Sequence, residues 1–284
     1  MRYKLIAILL FTLTLSFAAE RRALVIGIGE YPDVDYGWHE INGDNDIPLV
    51  KELLLANRFK ETNIHTLSNE QATFKGISAA FSRLIRKASQ GDIVYIHFSG
   101  HGQQISDLDG DESDGFDEAW VPYDALQEPT EYYQGQKHIT DDMLNSWLHQ
   151  LREKVGLDGK IVVVSDACHS GTNTRIATDD IIRGSSAKFI ISAKSKSFKN
   201  PNSLDWISIS ACADKECNRQ VQTADGKPCG SLTYALYLMR HELSTLSMSQ
   251  LLQKLTEKLL PPFVPRPQTP QIEYPQSESQ TTLF

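Results

Sequence analysis

The 284-residue chain has four cysteines, too few for a fold held by a disulfide framework. None forms a Cys-x-x-Cys pair or a Cys/His spacing of the zinc-binding kind. Lys and Arg number 28 against 36 Asp and Glu, a net charge of −8. No basic stripe interleaved with aromatics occurs, so nucleic acid is not an expected partner. No internal repeat is present, which excludes solenoid architectures. Beyond residue 18 no apolar run approaches membrane length, so no membrane association is expected of the mature chain. The 40% hydrophobic content is that of a globular protein with a real core.

The first residues carry a targeting pattern. Arg2 and Lys4 form a short positive start, and 5–17 is apolar except for Thr12, Thr14 and Ser16. Ser16-Phe17-Ala18 places small residues where signal peptidase reads them. Residues 1–18 therefore read as a secretory signal and 19–284 as the working domain, secreted or periplasmic. An uncleaved anchor is the alternative. Losing Arg2 and Lys4 takes the net charge from −8 to −10. In an oxidising compartment some cysteines could pair, and Cys217 with Cys229, flanking a polar Gly-containing stretch, is the favoured pair.

Apolar, β-branched runs at 22–28, 64–67, 92–100, 160–168 and 205–212 predict strands. Helical periodicity predicts helices over 46–57, 73–88, 139–151, 231–241 and 247–259. Thr140 with Asp141 and Asp142 supplies a helix-start signal. Continuous apolar strands alternating with helices indicate an α/β fold: a mostly parallel central sheet with helices on both faces. The Pro-, Gln- and Ser-rich tail from Pro261 to Phe284 is expected to run extended over the surface or to lack order.

Sites of open α/β sheets lie beyond the carboxyl ends of the strands. Three such ends hold unusual residues: Ser99-Gly100-His101-Gly102, Asp166-Ala167-Cys168-His169-Ser170-Gly171 and Ser210-Ala211-Cys212-Ala213-Asp214. A thiol nucleophile needs a base or a positive field beside it, and a histidine on a neighbouring strand end supplies both. Cys168 and His101 are the candidate nucleophile and base. The Gly102 and Cys168 N–H groups are candidate oxyanion donors. His169 adjoins Cys168 but diverges from it and reads as a turn residue. His39, His65, His138, His149 and His241 show no partner pattern and read as surface or helix residues. His97, four residues before His101 on a strand, suits the core.

HFSGHG around His101 and DACHSG around Cys168 resemble the two catalytic motifs of the metacaspases, relatives of the caspases. GDESDGFDEAWVPYD at 110–124 is similar to the acidic segment after the family's histidine. Ile139-Thr140-Asp141-Asp142, Ser210 to Asp214, Gly230 to Thr233 and Gln268 to Gln271 resemble further family segments. The resemblance spans 21–284. It implies a caspase-like fold and peptide-bond hydrolysis by a Cys168–His101 dyad, with no cofactor required for the chemistry. It also implies cleavage after Arg or Lys, through acids in the first specificity pocket. Asp166 matches one such acid, and a strand-end Asp can pair with a guanidinium. Asp46 matches another, with Asp44 as a rival and a helix N-cap as the plain alternative. Asp214 is a third candidate. No base that could compensate these acids is identifiable.

Metacaspases often bind calcium, and Asp117, Asp141 and Asp142 match three of its ligands. The fourth acid is replaced by Arg175. The acids from Asp107 also fall at EF-hand offsets, but Glu112 stands where glycine is needed. The expected partners are protein or peptide substrates, and the expected state is monomeric. Two other readings remain: a silent caspase-like module that binds peptides, and a metal hydrolase using His97, His101 and Asp166. The polar stretch 172–203 carries Arg175, Arg183, Lys188, Lys194, Lys196 and Lys199. A self-made cut between Arg175 and Lys199 is expected, a loop that only shields the cleft being the alternative.

Overall fold

The computed structural model describes residues 19–32, 36–110, 112, 114–168, 181–185, 187–191, 205–213 and 216–284. The expected signal segment lies outside them.

In chain order the strands are β1 (Arg21–Gly27), β2 (Ile64–Ser68), β3 (Ile93–Ser99), β4 (Gly102–Ser106), β5 (Phe116–Trp120), β6 (Ile139–Thr140), β7 (Lys160–Asp166), β8 (Ile207–Ser210), β9 (Gln220–Gln222), β10 (Pro228–Gly230) and β11 (Gln271–Glu273). The helices are α1 (Asp46–Ala56), α2 (Phe74–Lys87), α3 (Asp141–Val155), α4 (Ser231–Leu238) and α5 (Met248–Lys258). Six strands form the central sheet in the order β11-β8-β7-β3-β1-β2. All neighbours run parallel except β11, which closes the edge antiparallel to β8.

Residues of β1 alternate between two cores. Leu24 and Ile26 pack with the α2 and α3 side, around Phe81, Leu148 and Leu151. Ala23 and Val25 pack with α1, α4 and α5, around Leu53, Leu236 and Leu255. Burial on both faces is why the strands read as unbroken apolar runs. Helix starts follow the sequence signals: Thr73 and Thr140 accept N–H bonds from Gly76 and Met143, and Ser247 forms a capping box with Gln250. Among the described residues no helix is long and apolar enough to cross a membrane.

The C-terminal stretch is ordered and tied down. Besides β11, Gln268, Leu283 and Phe284 are buried, and Phe284 packs edge-on against Phe59. Two features went unread in the sequence: the β4-β5-β6 sheet and the β9-β10 hairpin. The expected Cys217–Cys229 disulfide is absent: no two of the four cysteines are bonded to each other. Cys229 on β10 points into the core beside α4, whereas Cys217 turns toward Cys168 and Ile182.

Candidate active site

The strand order reverses around β1, with β2 on one side and β3 on the other, which opens a crevice at the carboxyl ends. Asp46 begins the helix after β1, His101 follows β3 and Asp166 ends β7, two residues before Cys168.

His101 is fully buried. Its backbone N–H donates to the Tyr31 hydroxyl (2.9 Å), and its ring stacks on Trp38 at 4.9 Å. Nε2 lies 2.8 Å from the His39 carbonyl oxygen. A carbonyl only accepts, so the proton sits on Nε2 and Nδ1 keeps its lone pair. Nδ1 is buried with no hydrogen-bond partner among the described residues. Burial, then the neighbouring His39, pushes the ring down to about 3, so the imidazole is neutral. His39 was expected to be a bystander. Instead its carbonyl orients His101, and its exposed ring bonds the Ile182 carbonyl at 3.0 Å. His138, also expected at the surface or on a helix, is instead buried, bonded to Tyr133 and Gln103. Both nitrogens of His97 are engaged, by Tyr95 and by Thr233, which leaves none for a metal.

Cys168 is buried with Ile182 and Cys217, and Cys212 packs against them. Its thiol donates to the Glu216 carbonyl at 3.0 Å, a bond that requires the protonated form. The hydrogen bond with Cys212, with burial adding to it, pushes the thiol up to about 12. The Cys168 N–H donates to the Arg183 carbonyl at 2.7 Å. Gly102 opens β4, and its carbonyl accepts from the Ser185 N–H at 3.2 Å.

The acids at the start of α1 and the end of β7 share one fully buried cation, Arg183. Its Nη1 lies 2.5 Å from Asp46 Oδ2 and 3.8 Å from Asp166 Oδ1, and it also bonds the Ser99 hydroxyl. Nη2 reaches the Asn42 carbonyl (3.2 Å) and Gln220 Oε1 (3.5 Å). Burial works against the guanidinium charge, but Asp46 and Asp166 outweigh it and hold Arg183 cationic. This corrects the expectation of a pocket without a compensating base. Gly230 is required here, since a Cβ on it would stand 2.1 Å from Asp166 Oδ2 and 2.6 Å from Arg183 Nη1.

Asp46, and not Asp44, faces the guanidinium. Its second oxygen accepts the Gly230 N–H at 2.8 Å, and the helix N-cap position belongs to Asn45. Asp166 is held by Asn218 (2.7 Å) and by the Thr233 N–H (2.7 Å) and hydroxyl (2.6 Å). Gln268 braces Asn218 and Ser231 from below. Asp214 lies outside the described residues.

The acidic cluster sits on the β4-β5-β6 side. Burial, then Asp141 and Asp107, raises Asp117 to about 8; burial, then Asp142, raises Asp141 to about 7. Asp141 Oδ1 is buried without a hydrogen-bond partner among the described residues. Hard carboxylate oxygens in mutual repulsion suit a hard cation. As placed, however, no three His, Cys, Asp or Glu side chains among the described residues converge to hold a metal ion. Asp107 turns inward instead, accepting the Asp109, Gly110 and Glu112 N–H groups.

Sequence reasoning named Arg183 only as one of six basic residues in a loop. The signal that set it apart was Ile181-Ile182-Arg183-Gly184, an apolar pair, a cation and a glycine within a polar stretch.

Comparison with known proteins places these features in a family. The family model described as metacaspase, peptidase C14 domain, matches residues 21–177, more than half of the chain. Metacaspase-1 of Plasmodium falciparum is 32% identical over 251 residues, covering 84% of this chain and 37% of that relative. Metacaspase-1 of Mycosarcoma maydis is 24% identical over 299 residues (89% and 70%), and metacaspase-7 of Arabidopsis thaliana 34% identical over 187 residues (63% and 42%). The chain thus spans between 37% and 70% of the length of these relatives. A crystal structure of a Geobacter sulfurreducens protein shares the fold, with a TM-score of 0.61, 21% identity and coverage of 93% of this chain and 97% of that one.

Proposed function

Because the chain belongs to the metacaspase family and carries a caspase-like cysteine peptidase domain, we propose that it is a secreted endopeptidase that cuts after Arg or Lys through a Cys168–His101 dyad. The observation that carries the specificity is the Asp46–Asp166 pocket with a guanidinium already in it. Two buried carboxylates favour a cation and repel an aspartate side chain.

In turnover the Cys168 sulfur attacks the scissile carbonyl and forms a thioester. His101, with Nδ1 free to carry a proton, takes the thiol proton and delivers it to the leaving amine. The Cys168 N–H, with that of Gly102, holds the oxyanion. Water then hydrolyses the thioester.

Calcium is not needed for this chemistry. Calcium at Asp117, Asp141 and Asp142 would neutralise their repulsion, but these side chains would first have to move together to hold it. Secretion rests on the pattern of residues 1–18. N-terminal sequencing of the exported protein should begin at Ala19, and a retained Met1 would refute signal cleavage.

The specificity is tested with short peptides ending in Arg, Lys or Asp, each with and without added calcium. Arg and Lys peptides are expected to exceed the Asp peptide by at least about a hundredfold, since a buried like-charge contact costs several kcal/mol. Preferred cleavage after Asp would refute the reading. A rise in Tm with calcium, lost in Asp117→Asn, is expected of the acidic cluster; an unchanged Tm in both would remove calcium from it.

A further inference from the structure

Behind Asp166 runs a line of buried hydrogen bonds that the Cys168–His101 chemistry does not use. Asp166 Oδ1 accepts the Asn218 amide (2.7 Å) and faces the Arg183 guanidinium. Oδ2 accepts two hydrogens from one residue, the Thr233 N–H (2.7 Å) and hydroxyl (2.6 Å). Thr233 Oγ1 in turn lies 3.0 Å from His97 Nε2, and His97 Nδ1 lies 3.2 Å from the Tyr95 hydroxyl. Tyr95, His97, Thr233 and Asp166 are all buried, where hydrogen bonds in series strengthen one another.

The carboxylate sets the direction of every link. It only accepts, so the single Thr233 hydroxyl hydrogen points at Asp166. Thr233 Oγ1 must then accept from His97, which places the ring proton on Nε2 and leaves Nδ1 to accept the Tyr95 O–H. Burial pushes His97 down to about 4, against the pull of Asp166, so the ring is neutral with one proton to give. Packing alone does not call for an imidazole. Its neighbours across the sheet are Val25 on β1 and Val164 on β7, and a buried polar ring costs stability unless both nitrogens are engaged. Ser99, on the same face of β3, bonds Asp46 and Arg183. One strand face thus supports both pocket acids, Asp46 through Ser99 and Asp166 through His97 and Thr233.

We infer that His97 is a positioning residue for specificity: through Thr233 it fixes the plane of the Asp166 carboxylate, and so lets the pocket prefer Arg over Lys. This rests on the Arg- or Lys-directed peptidase reading above. A guanidinium is a flat fork that needs its carboxylate in a set plane, whereas an ammonium is a point charge that tolerates a turned one. His97 acts only through Thr233 and Asp166 and takes no part in bond making or breaking.

The test measures kcat and KM of the full chain with peptides ending in Arg and in Lys. His97→Leu should raise KM for the Arg peptide at least about fivefold, the worth of one buried hydrogen bond, and leave kcat and the Lys KM within about twofold. His97→Asn carries its amide where Nδ1 stood, short of Thr233, and should behave like His97→Leu. His97→Gln carries its amide where Nε2 stood and should restore the wild-type preference for Arg over Lys. In a Thr233→Val background His97→Leu should change that preference no further, since the link is already cut. The Arg-to-Lys ratio does not depend on how much of a variant is active, so a partly folded variant still reports. Nitrogen NMR of the His97 ring in Cys168→Ala protein, a readout free of turnover, should show a neutral ring protonated on Nε2. A ring protonated on Nδ1, an unchanged ratio in both His97→Leu and His97→Asn, equal losses for Arg and Lys, or full additivity with Thr233→Val would overturn the inference and leave the Arg/Lys reading standing. Wild type that cuts only after Asp would overturn that reading and the inference with it.

Discussion

Cys168→Ala should keep its fold and lose at least about a thousandfold in peptide turnover, and His101→Ala should do the same. Removing either member of a nucleophile–base pair disables both, so the two losses should be of similar size and should not add in the double variant. Cys168 is buried in a small apolar cluster, where a methyl group replaces the thiol with little change in packing. Its melting temperature should therefore stay close to that of wild type. His101→Ala empties a site packed by Tyr31, Trp38 and His39 and orphans the His39 carbonyl, so a measurable loss of stability is expected beside the kinetic one. His101→Gln fills more of the space and should separate the two effects. Turnover by Cys168→Ala within tenfold of wild type would remove Cys168 from the chemistry.

Asp46→Ala in the uncut chain should lower stability by about 3–5 kcal/mol, the usual cost of stranding a buried charge. Of its two carboxylate partners among the described residues Arg183 would keep the more distant, Asp166 at 3.8 Å, and the Gly230 N–H would lose its acceptor. Arg183→Ala should also destabilise, because it leaves two buried acids without their cation. Removing both should cost clearly less than the sum, which is the signature of direct coupling. The cycle is best measured by chemical denaturation in a Cys168→Ala background, where no self-made cut changes the chain. Additive losses would mean that Arg183 and Asp46 do not hold each other. Asp166→Ala is a poorer probe of specificity than its place before Cys168 suggests. Its carboxylate also anchors Asn218 and Thr233, so folding and substrate binding would fail together.

The inner strands β1, β3 and β7 of the central sheet were legible because they are buried on both faces and read as apolar runs. The β4-β5-β6 sheet was not, because Gln103 and Gln104 on β4 and Asp117 and Glu118 on β5 interrupt any such run. Gln103 satisfies its amide with the Gln127 and Ala187 carbonyls and with His138, partners no local pattern reveals. The β9-β10 hairpin, three residues a strand, is too short for periodicity to register. The tail is tied to the sheet by the β11 edge pairing, by Gln268, by Lys160 bonding the Thr282 carbonyl and by the buried Phe284, again contacts between distant residues.

For the site, the sequence by itself determined the chemistry available: a thiol and an imidazole at adjacent strand ends, with acids beside them. Residue type and strand ends are local properties. Only the tertiary structure decided how these groups are engaged. It chose Asp46 over Asp44, put the His101 proton on Nε2 through the His39 carbonyl, and left Cys217 and Cys229 as separate thiols. Above all it picked Arg183 from six basic residues and buried it between Asp46 and Asp166, 137 residues away in sequence at its nearer contact. A buried cation is tolerable only where carboxylates from other elements converge on it, and that convergence is a property of the folded chain.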